Sequence, residues 1–474
     1  MIRAFLIPGL FCLLATSICP AQQRGRTSVI AAPGDRTPSG SRIDTPDDFG
    51  LGESSSVFSA TLQDSELLAV FTRINTTETQ VVEVGDILVT GGTVTGINNT
   101  LSVNGNGEAL LSATTLDSTS VTHNALLVGS SGATMRTAAL SGQTVPDGNG
   151  QYDVFTGQSI NKRSDVGFWS SIENSQGSTA PANAVFIGHK DGTVTQIART
   201  GQPAPGETNL FYNMNAPSAI NSPGQISFAA EINDSQFGTG NNYGLYRNRA
   251  SGSLIKLARS YDVAPNTPYL FGFLQVGGLS DGGVTCFYAS LITSTGLFKG
   301  FGLFKSGNGT DTLPIAYAGQ AAPGSLGQYT TFDSVIDINN TGQVAYTGYY
   351  ATSTTNGSGV FIGDGVTQRT IAMTGQAAPD GSIFTGFGSC RINDLGVVLF
   401  LAQTDNVPGF NAIFVARETQ IIKVVKTGDV VAGAQVAQFG YDPAAFNNLN
   451  QVSYDVIDPS GNKRILLFSL PPRL

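Results

Sequence analysis

The sequence predicts an all-β protein, an eight-bladed β-propeller of four-stranded blades, and three observations predict it. Charged residues make up 12% of the chain and glycine 58 of its 474 residues, a composition poor in helix formers and rich in turns and strands. A turn signature followed by an aromatic or leucine position returns eight times, at intervals of 53 to 60 residues, in the range of propeller, solenoid and array repeats. The last repeat is one strand short, and an orphan strand stands near the start of the chain. A ring whose two ends share a blade answers both and leaves no bare sheet edge. A seven-bladed ring and paired β-sandwich repeats are the alternatives.

From the N-terminus, residues 1–21 read as an export signal, with Arg3, an apolar run over 5–18 and a small residue at Ala21 where cleavage is expected. That leaves 22–474 as a single propeller, secreted, periplasmic or at the cell surface. Cleavage removes Cys12 and Cys19, so Cys286 and Cys390 remain; they lie in different repeats, form no C-x-x-C, and read as two buried free thiols. Bulky Ile18 argues against a lipid anchor on Cys19. No later segment is long and apolar enough to span a membrane. The net charge is −9, and so few basic residues leave no nucleic-acid footprint. Residues 27–31 are the orphan strand.

Each unit then opens on a Gly/Pro loop, clearest at Gly142-Gln143, Gly201-Gln202, Gly319-Gln320 and Gly375-Gln376, with weaker copies at Gly85-Asp86, Tyr261-Asp262 and Gly428-Asp429. A loosely patterned first strand follows. An Asn-x-x-Gly turn begins at Asn104, Asn161, Asn221, Asn339, Asn393 and Asn447, with Ser280 in place of Asn in one unit and Asn and Gly both lost in the first. The asparagine bonds its own backbone two residues on, and glycine accepts positive φ. The turn leads into an alternating second strand whose landmark falls at 58, 111, 168, 228, 287, 346, 400 and 454. A third strand, a hairpin turn such as Asp191-Gly192 or Asp364-Gly365, and a fourth strand complete the unit. A pattern repeated around a ring is structural, since a catalytic centre would need one unique copy.

The I-N-x-x-G-x-x-x-F turns and G-Q-x-A-P-G loops behind an export signal resemble the tandem-repeat N-x-x-G-x-A-F proteins of exported bacterial chains, which differ among themselves in their anchors. The resemblance covers nearly all of the mature chain. It implies architecture and location, not chemistry, and the absence of a recognisable C-terminal anchor favours free export.

Chemistry-bearing residues are sparse. The two histidines, His123 and His189, sit in different units without metal-ligand spacing and read as loop residues. Asp147, Asn149 and Asp153 alternate as in a calcium loop but lack its glycine and distal glutamate, so calcium is the only cofactor the sequence raises. The most suggestive set follows the loop glycine: Asp86, Gln143, Gln202, Asp262, Gln320, Gln376 and Asp429. They belong on the face of the ring opposite the Asn turns. There they either surround a central channel and bind a sugar or cation, or tie their own loops in place, as buried loop backbone requires.

The functional expectation is an exported, non-catalytic propeller acting as a binding or interaction scaffold, with a glycan or another exported protein as partner. The alternatives are a carbohydrate-active enzyme, hydrolase or lyase, with paired carboxylates in the channel, and a cell-surface adhesive or structural component.

Overall fold

The computed structural model describes residues 25–470 except 90, 177–181, 234–241, 326 and 443–444; the expected export signal, with Cys12 and Cys19, lies outside the described residues. Eight antiparallel four-stranded sheets form the blades of a propeller. In blade 1 the strands run from the axis outward as Ile43–Leu51, Ser55–Leu62, Leu68–Ile74 and Thr77–Glu83. Blade 6 adds a two-residue strand, Asp337–Ile338, beside its second strand. The closing blade has Gln438–Gly440 innermost, then Gln451–Ile457 and Lys463–Ser469, and its outermost strand is Arg26–Ala31 from the other end of the chain. That strand pairs antiparallel with Lys463–Ser469, with Thr27 opposite Phe468 and Val29 opposite Leu466. The clasp joins the two ends by main-chain hydrogen bonds, which leaves blade 8 as complete as the other seven.

The position four residues after each turn glycine explains the core. It lies directly opposite a third-strand partner: Phe58 faces Phe71, Phe168 faces Phe186, Phe287 faces Phe304 and Phe400 faces Phe414. The rings stack with centroids 5.1 to 5.7 Å apart, in the range of favourable offset aromatic pairs. An inner-strand ring often meets the pair edge-on, as Phe271 does with Phe304 at 4.9 Å. The third and fourth strands shift register beside this aromatic, at Val70/Phe71, Val185/Phe186 and Ile413/Phe414 among others, and such bulges sharpen local twist. The apolar clusters each combine neighbouring blades. One joins Val360 and Ile362 to Phe384, Phe400 and Phe414; another seals the seam with Ile30, Phe49, Phe58, Phe71 and Ile465. The core therefore lies between blades, and no blade buries its faces alone. Cys286 and Cys390 are buried free thiols in these layers, and burial pushes both up to about 12.

Candidate ligand site at the axial mouth

Each Asn-x-x-Gly turn joins the innermost strand to the second, so all of these turns lie at one end of the axis. The side chain of Asn393 shows what the motif does. Its Oδ1 accepts the N–H groups of Leu395 and Val397 at 3.1 and 3.0 Å, which shapes the turn. Its Nδ2 donates to the carbonyl of Asn447, the equivalent residue of the next blade, at 3.0 Å. Asn104 reaches Asn161 in the same way at 3.2 Å, Asn161 reaches Asn221 at 3.0 Å, Asn221 reaches Ser280 at 2.9 Å and Asn339 reaches Asn393 at 3.2 Å. Asn447 closes the circle on the carbonyl of Gly52 at 2.9 Å. Blade 1 has lost the motif, and there the Ser55 hydroxyl takes over the donor role, meeting the Asn104 carbonyl at 2.7 Å. Ser280 has no such donor; its hydroxyl accepts the N–H of Val284 instead. The turn glycine needs its freedom at Gly342 (φ 81) and Gly396 (φ 73), while Ser164 (φ 69) and Asn450 (φ 59) hold the same position in blades 3 and 8 at some strain.

A second girdle lies just outside the first. In blades 5 to 8 the residue after the first turn position accepts, through its side chain, the N–H of the equivalent residue one blade earlier. Ser222 donates to Asp281 at 2.8 Å, Asp281 to Asn340 at 2.6 Å, Asn340 to Asp394 at 2.8 Å and Asp394 to Asn448 at 2.8 Å. Nearer the axis, the Ser159 hydroxyl accepts the N–H of Ile220 at 2.8 Å, and the Asp337 carboxylate accepts that of Ile392 at 3.1 Å. Burial pushes the Asp337 carboxyl up, against the pull of Arg391 and of these N–H groups. Inner strands of a ring expose their axial backbone edge, and these side chains satisfy it.

The girdles enclose a cavity of about 400 Å³ to which all eight blades contribute. Its wall includes Leu51, Ile160, Leu279 and Phe446, the apolar residues preceding the turn position, and its rim carries Glu53, Lys162, Asp281, Asn340, Asp394 and Asn448. Three carboxylates thus face one ammonium around an apolar wall. Sequence reading reached the asparagines but not this rim. The visible signal was the polar residue that follows the turn Asn in most units, as in N-N-T-G and N-D-L-G.

The seven loop residues singled out from the sequence lie at the other end of the inner strands and do not line this cavity. Asp86 accepts the N–H of Glu83 at 2.8 Å, Gln320 that of Tyr317 at 3.1 Å, Gln376 that of Met373 at 3.2 Å and Asp429 that of Lys426 at 2.8 Å. Asp262 holds the Arg259 backbone likewise, and burial pushes its carboxyl up. Each of these five grips the end of its own outer strand; Gln143 and Gln202 are exposed. Asp147, Asn149 and Asp153 go to three separate partners: the buried Arg199 guanidinium at 2.7 Å, the Gln176 backbone and the Ser171 hydroxyl at 2.9 Å. Among the described residues no three His, Cys, Asp or Glu side chains converge as metal ligands. His189 bridges Asp165 at 3.3 Å and Thr195 at 2.9 Å, and His123 bridges Ser141 and Asp117, so both tie backbone and strands together.

The sequence model of a family of unknown function, DUF7453, matches residues 103–455. No curated protein matches the sequence. Among solved structures, the chain is similar to an oligogalacturonate lyase in complex with manganese (9% identity, TM-score 0.42, covering 94% of this chain and 98% of that one). It is also similar to the β-propeller domain of the trilobed protease from Pyrococcus furiosus (12% identity, TM-score 0.41, 80% and 98% covered) and to the polysaccharide lyase Uly1 (8% identity, TM-score 0.35, 79% and 90% covered). At these values none of them carries an activity to this chain.

Proposed function

The chain belongs to this family of unknown function, and from that premise we propose that it is an exported, non-catalytic binding scaffold whose axial cavity holds the end of a polar, hydroxyl-rich ligand such as a glycan. The observation that supports this reading is the cavity itself, about 400 Å³ with an apolar wall and a rim of three carboxylates and one lysine. Its volume falls within the usual range for small-ligand pockets, and a few convergent polar groups on an apolar wall are their usual make-up. Apolar side chains pack on the C–H faces of a sugar, while Glu53, Asp281 and Asp394 accept from its hydroxyls. The signal-like residues 1–21 support export, and no helix among the described residues is long and apolar enough to cross a membrane.

The test is a glycan array read with the mature protein and with Gly105→Trp, which fills the mouth from a rim position that does not require positive φ. A glycan that binds the parent and is lost in Gly105→Trp supports the reading; binding that survives in the variant discards it. Release of reducing or unsaturated ends from a bound glycan would replace the scaffold with the carbohydrate-active enzyme. N-terminal sequencing of protein recovered outside the cytoplasm checks the cleavage expected after Ala21.

A further inference from the structure

Away from the axis, a cleft of about 790 Å³ opens at the ring's seam, where the N-terminal strand closes blade 8 against blade 1. Three guanidinium groups line it from three separate parts of the chain: Arg36 from the loop after the closing strand, Arg73 from blade 1 and Arg464 from blade 8. Arg73 donates to the Val29 and Ile30 carbonyls at 3.1 and 3.2 Å and so pins the closing strand. Arg464 makes one bond, to the Ala432 carbonyl at 3.2 Å, and Arg36 one, to the Gly40 carbonyl at 3.3 Å. None of the three forms an ion pair with a described carboxylate. Arg73 also donates through Nε to the Asn75 carbonyl at 3.3 Å. Each guanidinium has five N–H donors, so most of these donors have no acceptor among the described residues.

That arrangement runs against the composition. Acidic residues outnumber basic ones 34 to 25, and like charges gathered in one place repel. Arg199 and Arg259, by contrast, meet carboxylates: Asp147 at 2.7 Å and Glu207 at 3.1 Å. The cleft's own acids offset the trio only in part. Glu78 stands opposite Arg73 in the strand pair and acts on it electrostatically without reaching ion-pair distance, Asp35 accepts the N–H of Ala32 at 2.9 Å, and the cleft keeps three guanidinium groups against two carboxylates. Planar guanidinium groups match oxyanions in bidentate geometry. Asp35, Glu78 and the Thr76 hydroxyl are acceptors beside them that suit hydroxyl groups.

We propose that the seam cleft is a binding site for an acidic saccharide, with Arg36, Arg73 and Arg464 receiving its carboxylate or sulfate and Asp35 and Glu78 its hydroxyls. The site stands apart from the axial cavity. Because its walls belong to both ends of the chain, an occupant also braces the clasp and raises the melting temperature in proportion to its binding.

The experiment is titration calorimetry on the full mature chain with three probes: a hyaluronan tetrasaccharide carrying carboxylates, a heparin tetrasaccharide carrying sulfates, and neutral maltotetraose. At least one acidic probe should bind tenfold or more tightly than maltotetraose, and which one identifies the oxyanion. Its affinity should fall at least tenfold between 20 and 500 mM NaCl, as screening of contacts to a charged cleft requires. Arg36→Ala with Arg464→Ala should weaken it at least tenfold, while Lys299→Ala, which removes an exposed positive charge on blade 5 away from both cavities, leaves it unchanged. Equal affinity for acidic and neutral probes overturns the proposal, as does undiminished binding in the double variant. If thermal melts show the double variant misfolded, competition on the parent protein decides: inorganic sulfate should displace the acidic probe, and failure to displace it overturns the site.

Discussion

Replacing Asn393 with alanine tests the girdle at a buried site whose side chain bonds both its own turn and the next blade. The side chain is 5% exposed and makes four hydrogen bonds: two accepted from the Leu395 and Val397 N–H groups, and two donated to the Asn447 carbonyl and the Asn450 amide oxygen. Their losses are unequal. Leu395 is exposed, so water replaces its partner. The Asn447 carbonyl keeps the N–H of Asn450 at 3.2 Å. Val397 is 1% exposed and Asn450 7%, and each is left with an unpaired buried group. An intramolecular hydrogen bond contributes about 1 kcal/mol net, and an orphaned buried polar group costs about 1–3 kcal/mol. Two orphans give about 2–6 kcal/mol, and the two groups that find another partner add little. Urea denaturation followed by near-UV circular dichroism should show a matching drop in midpoint with an unchanged slope. A loss below about 1 kcal/mol would refute the claim that these amides hold neighbouring blades together. Asn393→Ser, which keeps one acceptor, should fall between the two proteins.

The converse change, Ser280→Asn, supplies the one donor the girdle lacks and should raise stability by about 1 kcal/mol, read as an upward shift of the urea midpoint. Removing Asp147 leaves the Arg199 guanidinium, 4% exposed, without its carboxylate; Asp147→Ala should cost about 3 kcal/mol, and Asp147→Leu with Arg199→Met clearly less, because an unpaired buried charge is worse than none. Asp364 is held below the usual carboxylate range, first by the N–H of Thr367 and also by the N–H of Val366 and the Thr367 hydroxyl. A depressed carboxylate stabilises the fold above its unfolded value and loses that contribution as pH falls through its folded value, so melting temperatures should drop below about pH 4, less steeply in Asp364→Asn.

Much of the fold was legible because it rests on local chemistry written repeatedly. Gly342 after Asn339, and Tyr346 four residues later, announce a turn and the buried strand it feeds. The orphan strand at one end and the missing strand at the other announced the clasp. The loops after the outer strands were legible as a repeated set, yet not in their bonding, because Gln320 reaching back to the Tyr317 N–H is a matter of a few tenths of an ångström. His189 read as a loop residue because Asp165, 24 positions away, gives no local sign that it will lie beside it.

Strand periodicity, the turns, the number of blades and the identity of the closing strand are all written in the primary structure, since each depends on residues within a few positions of one another or on a count of repeats. Three-dimensional packing sets the rest: the Asn amides face the next blade, the axial cavity lies at the Asn end, and Arg36, Arg73 and Arg464 share a cleft. Those depend on the angle between blades and on ring closure, which bring together side chains about one repeat or nearly a whole chain apart; their energies come from satisfying groups that closure buries, and no local pattern encodes them.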